Sequence, residues 1–204
     1  LRDSLDLAEQ QIRTVIRMSP GNMVARKYLG GILSNRGKYE EAAKVLRSVL
    51  GRTDMDKSVR LLYGSCLANL QRLDEALEIF RQISDENPAE PQPAISAARI
   101  LMEIKDYQSA EVYLRRAVEN NPDNLEILRM AIGAYLGAGN LAQARELLLV
   151  ETRKEPSARA FLVLADVCRQ MGLVDECKSW LEKTLALDLP PELRTRVEGT
   201  LKNM

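Results

Sequence analysis

Apolar residues along this chain recur at intervals of three and four, as in Leu73, Ala76, Leu77, Phe80 and Ile83, with charged and polar residues between them. That spacing marks one face of an α-helix rather than the alternation of a strand. The stripes break at Asn35 to Lys38, Gln71 to Arg72, Lys105 to Asp106, Ala138 to Asn140 and Met171 to Leu173, and again at segments that carry proline. Proline lacks an amide proton and restricts the residue before it, so Asn-Pro and Ser-Pro end helices. The pattern predicts an all-α chain of short helices joined in pairs.

The breaks also keep time. Ala8, Ala42, Ala76, Ala110 and Ala144 stand 34 residues apart, and Cys177 follows after 33. Pro20, Pro88, Pro122 and Pro156 lie twelve residues after their alanines, Asp54 stands at the skipped beat, and Pro190 is displaced by one. Two further columns share the period: Leu5, Tyr39, Leu73, Tyr107, Leu141 and Val174, and Ile12, Leu46, Phe80, Leu114, Leu148 and Leu181. A small column holds Gly30, Gly64, Ala98 and Ala165, with Ile132 as its departure. Small residues there let the two helices of a pair cross closely, where a larger side chain would overpack at a cost of about 1–3 kcal/mol; Ala76 is expected to face Gly64. Each pair buries its apolar face only when another stacks on it.

These residues resemble the tetratricopeptide repeats, a family with a repeat of the same length, small residues at its eighth and twentieth positions and proline near its end. Gly37-Lys38-Tyr39-Glu40-Glu41-Ala42 and Leu73-Asp74-Glu75-Ala76 are similar to the family's inter-helix motif, and Arg115 to Asp123 to its repeat end. The tryptophan common near the fourth position is replaced by Arg26, Arg60, Ala94, Leu128 and Phe161. The resemblance implies a right-handed superhelical solenoid of antiparallel helix pairs. Its expected division is a second helix alone at 1–22, five pairs at 23–56, 57–90, 91–124, 125–157 and 158–189, and a capping helix at 190–204. Pro190, Pro191 and Glu192 form the start of that cap, with Leu193, Val197 and Leu201 on one face. Because residue 1 falls inside a repeat, the sequence reads as a portion of a longer protein in which the array ends near the cap.

Charge changes the picture mainly by exclusion. Twenty-nine basic residues balance twenty-nine acidic ones, which removes the broad attraction that nucleic acid or an anionic membrane requires. No stretch approaches the ~20 apolar residues of a membrane span. There is no histidine, so the commonest general base and metal ligand is missing. The acidic runs Glu40-Glu41 and Glu75 to Glu78 stand at helical spacing among Lys44 and Arg81, as salt-bridged surface does. Gly30-Gly31 and Gly137-Ala138-Gly139 belong to packing and turns, not to a phosphate loop. Cys66, Cys168 and Cys177 read as small core residues, the other reading being a redox pair of Cys168 and Cys177 across one hairpin. Neither catalysis, nor a metal, nor a cofactor is called for.

Binding is the remaining class. Stacked pairs make a concave surface lined by the first helix of each, and the resemblance implies that Lys27, Tyr28, Asn35, Ser65, Asn69, Arg99, Glu103, Arg129, Met130, Arg159, Asp166 and Arg169 face it, with Leu61, Leu62, Ile95 and Leu162. The slight basic excess suits an extended protein segment carrying carboxylates, onto which arginine can fork. One subset of the family grips a C-terminal carboxylate with lysine and asparagine. Here Lys27 is in place, but Gly31, Leu62, Gln92 and Ser96 replace the rest, which disfavours that mode. Residues 8–29 are similar to repeats of long bacterial envelope proteins, including those of exopolysaccharide export. The compartment stays open between cytoplasm and bacterial periplasm or envelope. Three roles are therefore expected: a scaffold for a protein or peptide, self-association through the incomplete first repeat around Ile12, Val15 and Ile16, and positioning of an enzyme domain elsewhere in a parent chain.

Overall fold

The computed structural model describes residues 2–51 and 56–204. The described residues form helices and turns without a strand: α1 (Arg2–Met18), α2 (Met23–Asn35), α3 (Tyr39–Arg47), α4 (Asp56–Asn69), α5 (Leu73–Glu86), α6 (Pro91–Glu103), α7 (Tyr107–Asn120), α8 (Leu125–Gly137), α9 (Leu141–Lys154), α10 (Ala158–Gln170), α11 (Val174–Leu185) and α12 (Pro191–Lys202). Helix ends fall on the breaks in the apolar stripes; Asp54, at the skipped proline beat, lies outside the described residues. Among those described, no helix is long and apolar enough to cross a membrane.

The turn inside each pair is the same object five times. Gly37, Gln71, Lys105, Gly139 and Gly172 take left-handed φ angles between 59° and 78°. Each following amide reaches back to the helix it leaves: Lys38 to the Leu33 carbonyl, Arg72 to Leu67, Asp106 to Leu101, Asn140 to Tyr135 and Leu173 to Cys168, at 2.8 to 3.0 Å. This is the Schellman ending, which satisfies carbonyls that the helix itself leaves unpaired. Glycine takes that conformation freely, whereas Gln71 and Lys105 hold it against their own Cβ, by about 1–2 kcal/mol each. Several starts are capped by side chains: Asn22 Oδ1 accepts from Ala25 N at 2.9 Å, Asn124 Oδ1 from Glu126 N at 3.0 Å, and Ser157 Oγ from Ala160 N at 3.2 Å.

Residues up to Ile100 form one compact unit and those from Leu101 a second, the division falling within α6. In the first unit α2 pairs with α3 and α4 with α5, with α1 on α2 and α3 on α4. The alanine column is buried at Ala42 and Ala76, and so are Leu46 and Phe80. The partner of the small column proves to be the large residue, one turn beyond the alanine. A methyl built on Gly64 would meet Phe80 ring carbons at 3.0 Å, and one on Gly30 would meet Leu46 Cδ2 at 2.5 Å. To the expected facing of Ala76 and Gly64 the structure adds the nearer neighbour: the space that glycine leaves is filled by an aromatic ring at Gly64 and by a leucine at Gly30. On α1 the matching residues, Ala8 and Ile12, are only half-buried.

Charge fastens α1. Glu9, 7% exposed, accepts from Arg13 at 2.9 Å and Lys38 at 3.3 Å and also pairs with Arg36. Burial alone would raise its carboxyl, but the hydrogen bonds from Arg13 and Lys38 and the Arg36 charge outweigh it and hold the group below the ordinary glutamate range. A carboxylate depressed by folding stabilises above its unfolded value, about 4.3, and that contribution is lost as pH falls through the lower folded value. Acidification from pH 5 is expected to lower the amide-exchange protection factors along α1, taken relative to the intrinsic rate at each pH, and Glu9→Gln to flatten that dependence; an identical acid profile in the variant contradicts the assignment.

In the second unit successive helices from α7 to α11 pack on one another and α12 covers α11. Ala110, Ala144 and Cys177, with Leu114, Leu148 and Leu181, form the buried columns. Pro191 opens α12, whose buried Val197 and partly buried Leu193 and Leu201 join the core of α8 to α11. All three cysteines are free and buried, and burial pushes each thiol up. They are packing residues.

Candidate partner-binding face

In the first unit, Lys27 is half-buried and Tyr28 is 60% exposed on α2, with Asn35 exposed at its end. On α4 the polar candidates turn back to their own helix: Ser65 Oγ donates to the Leu61 carbonyl at 2.9 Å and Asn69 Nδ2 to the Ser65 carbonyl at 2.8 Å. Arg99 is exposed on α6. A methyl on Gly31 would meet Leu62 at 3.8 Å, so two positions that replace the carboxylate-gripping asparagines lie across from one another on α2 and α4.

In the second unit, Glu103 is exposed at the end of α6 and Met130 is half-buried on α8. Asp166 and Arg169 form an ion pair one turn apart on α10, and Gln170 Nε2 donates to the same carboxylate at 2.7 Å. The Arg169 hydrogen bond outweighs burial and holds the Asp166 carboxyl below the usual range. These two residues, with Leu162 of α10 and Leu193, Arg196 and Met204 from the α12 end of the chain, line a cavity of about 580 Å³. A pair already neutralised supplies orientation more than net charge.

Arg129 and Arg159, read from the sequence as open to a partner, are engaged. Arg129 Nε donates to Glu151 Oε1 at 2.7 Å and its Nη2 pairs with Glu155 at 2.9 Å; Arg159 Nη2 reaches the same Glu151 oxygen at 2.7 Å. Glu151 on α9 is fully buried, and its Oε2 has no hydrogen-bond partner. Sequence reasoning passed over this residue although a signal was there. Val49, Ile83 and Ala117 precede it at the repeat period, so Glu151 places a carboxylate in an apolar column. Among the described residues no cluster of three metal-binding side chains forms. Glu75 and Glu78 are surface pairs with Arg72 and Arg81.

Comparison with known proteins agrees with this architecture. Tetratricopeptide-repeat profiles match residues 36–100 and 101–156, more than half of the chain, and a further one matches 2–56. No curated protein matches in sequence. Similar solved structures include YrrB, a tetratricopeptide protein described as having an unusual peptide-binding site. It has 16% identity and a TM-score of 0.75, covering 92% of this chain and 97% of its own. MamA from Desulfovibrio magneticus RS-1 has 19% identity and a TM-score of 0.68, covering 82% of this chain and 95% of its own. A tetratricopeptide repeat protein from Parabacteroides merdae has 19% identity and a TM-score of 0.69, covering 98% and 80%. At such identities the likeness establishes the fold. With the profile match, the 34-residue columns and the five repeated turns, it makes the chain a member of the tetratricopeptide repeat family, an all-α scaffold of the protein-interaction class.

Proposed function

We propose that this chain is a non-catalytic scaffold that holds an extended segment of a partner protein against its first helices, along α2, α4 and the part of α6 that carries Arg99 in one unit and α8 and α10 in the other. The observation that carries the reading is the meeting of Arg129 and Arg159, from two first helices, at one oxygen, on helices that also carry the half-buried Met130 and Leu162. Charged forks beside apolar surface suit a peptide that brings both carboxylates and side chains to be covered. Exposed Tyr28 offers the first unit an aromatic anchor of the kind that dominates interfaces. The peptide-binding site ascribed to YrrB supports the same class of ligand. A bacterial envelope setting, implied by the resemblance of residues 8–29, belongs to this proposal.

Display selection of protein segments on the immobilised chain tests it, repeated with Tyr28→Ala, Arg99→Glu and Arg159→Glu. Enriched segments are expected to lose about tenfold in affinity, ~1.4 kcal/mol, with at least one variant. Recovery unchanged by all three removes the face. A second reading, self-association, is favoured by the half-buried Ala8 and Ile12, whose counterparts in later repeats are covered. Light scattering over a concentration series, with Ile16→Lys as the variant, separates the two: a dimer abolished by that change supports association through α1, and a monomer throughout excludes it.

A further inference from the structure

We propose that Glu151 is a positioning residue that holds Arg129 and Arg159 side by side as a receptor for one carboxylate, and that Glu155 is its built-in occupant. The inference rests on the peptide-holding reading above and specifies its chemistry.

Glu151 is an unusual choice for its place. A carboxylate removed from water is costly unless well paired, and one of its oxygens stays unpartnered. The same column carries Val49, Ile83 and Ala117 elsewhere, so packing alone does not require an acid. What the acid does is converge two guanidinium groups from α8 and α10 on Oε1, at 2.7 Å each. Two like charges are held together only because a negative charge lies between them. The geometry leaves donors over. Arg159, whose side chain is 61% exposed, spends Nη2 on Glu151, and its Nε and Nη1 have no partner among the described residues. Arg129 spends Nε on Glu151 and Nη2 on Glu155, leaving Nη1.

The two glutamates differ in kind. Glu151 is enclosed, whereas the Glu155 side chain is 52% exposed at the C-terminal end of α9, in a surface pair of the sort that contributes little. With both in place the four groups are neutral. When Glu155 turns into solvent, one positive charge remains beside preset donors, which matches a single carboxylate accepting two or more hydrogen bonds. The rigid inner acid orients the arginines and the outer one yields its place.

Side-chain 15N NMR of the arginine Nε protons tests this with three small probes: N-acetylglutamate amide for a side-chain carboxylate, N-acetylalanine for a C-terminal one, and N-acetylglutamine amide as the neutral counterpart. Either or both acids are expected to shift Arg129 and Arg159 saturably, more than the surface-paired Arg81, and the neutral probe to shift neither. Glu155→Gln is expected to tighten binding about threefold or more. Glu151→Met, which fills the buried site with an apolar side chain, is expected to weaken it at least about fivefold while the backbone amide spectrum stays dispersed. Equal shifts at Arg81, or unchanged affinity in folded Glu151→Met, overturn the proposal. Segments from display selection that bind with no carboxylate overturn it too, yet leave the scaffold reading standing.

Discussion

Truncating Phe80 to alanine is expected to lower the unfolding free energy by about 3–5 kcal/mol, read as a shift of the urea midpoint. The ring is 2% exposed on α5, and two of its carbons lie 3.0 Å from where Gly64 would carry a methyl. Its loss opens a cavity between α4 and α5, and in a stack where each pair leans on its neighbours the damage reaches beyond one repeat. The pairing has a sharper signature. In the Phe80→Ala background, adding Gly64→Ala is expected to recover about 1 kcal/mol, because the methyl then has room and alanine favours the helix. Beside the intact ring the same methyl is crowded, and the gain is expected to disappear. Equal effects in both backgrounds would contradict the contact.

Two adjacent glycines on α2 are expected to respond in opposite directions. Gly30→Ala places a methyl 2.5 Å from Leu46 Cδ2 and 2.6 Å from its Cγ. Leu46 is fully buried and Cγ is its branch point, so a change of rotamer clears little space, and a net loss of about 1–3 kcal/mol is expected. At Gly31 the nearest side-chain atom across the helix interface is Leu62 Cδ2 at 3.8 Å, an ordinary contact. Gly31→Ala therefore keeps the helix-propensity gain, up to about 1 kcal/mol. Urea titration of the two single variants decides the matter: a shared sign would show that helix propensity, or crowding, governs both sites alike.

Much of this architecture is legible in the sequence alone. The 3.6-residue stripes, the 34-residue columns and the proline beat located the helices and the turns within pairs, because helix periodicity and helix termination are encoded within a few neighbouring residues. Pro191 and the Leu193, Val197 and Leu201 face likewise marked α12. The left-handed conformation at Gln71 and Lys105 was harder to see, since neither is the glycine found at Gly37, Gly139 and Gly172. Tertiary context overrides that local preference.

The binding candidates divide along the same line. Repeat register put Arg129 and Arg159 on first helices, but it said nothing of Glu151, on another helix, drawing both to one oxygen. Nor did it show that Ser65 and Asn69 fold back on α4, or that the Phe80 ring fills the space at Gly64. Helices and their ends follow from short-range chain stereochemistry, which a single strand of letters records. The partner of a charged or bulky side chain depends on which helices lie across from it and on the rotamers that fit between them, and only the folded packing selects those.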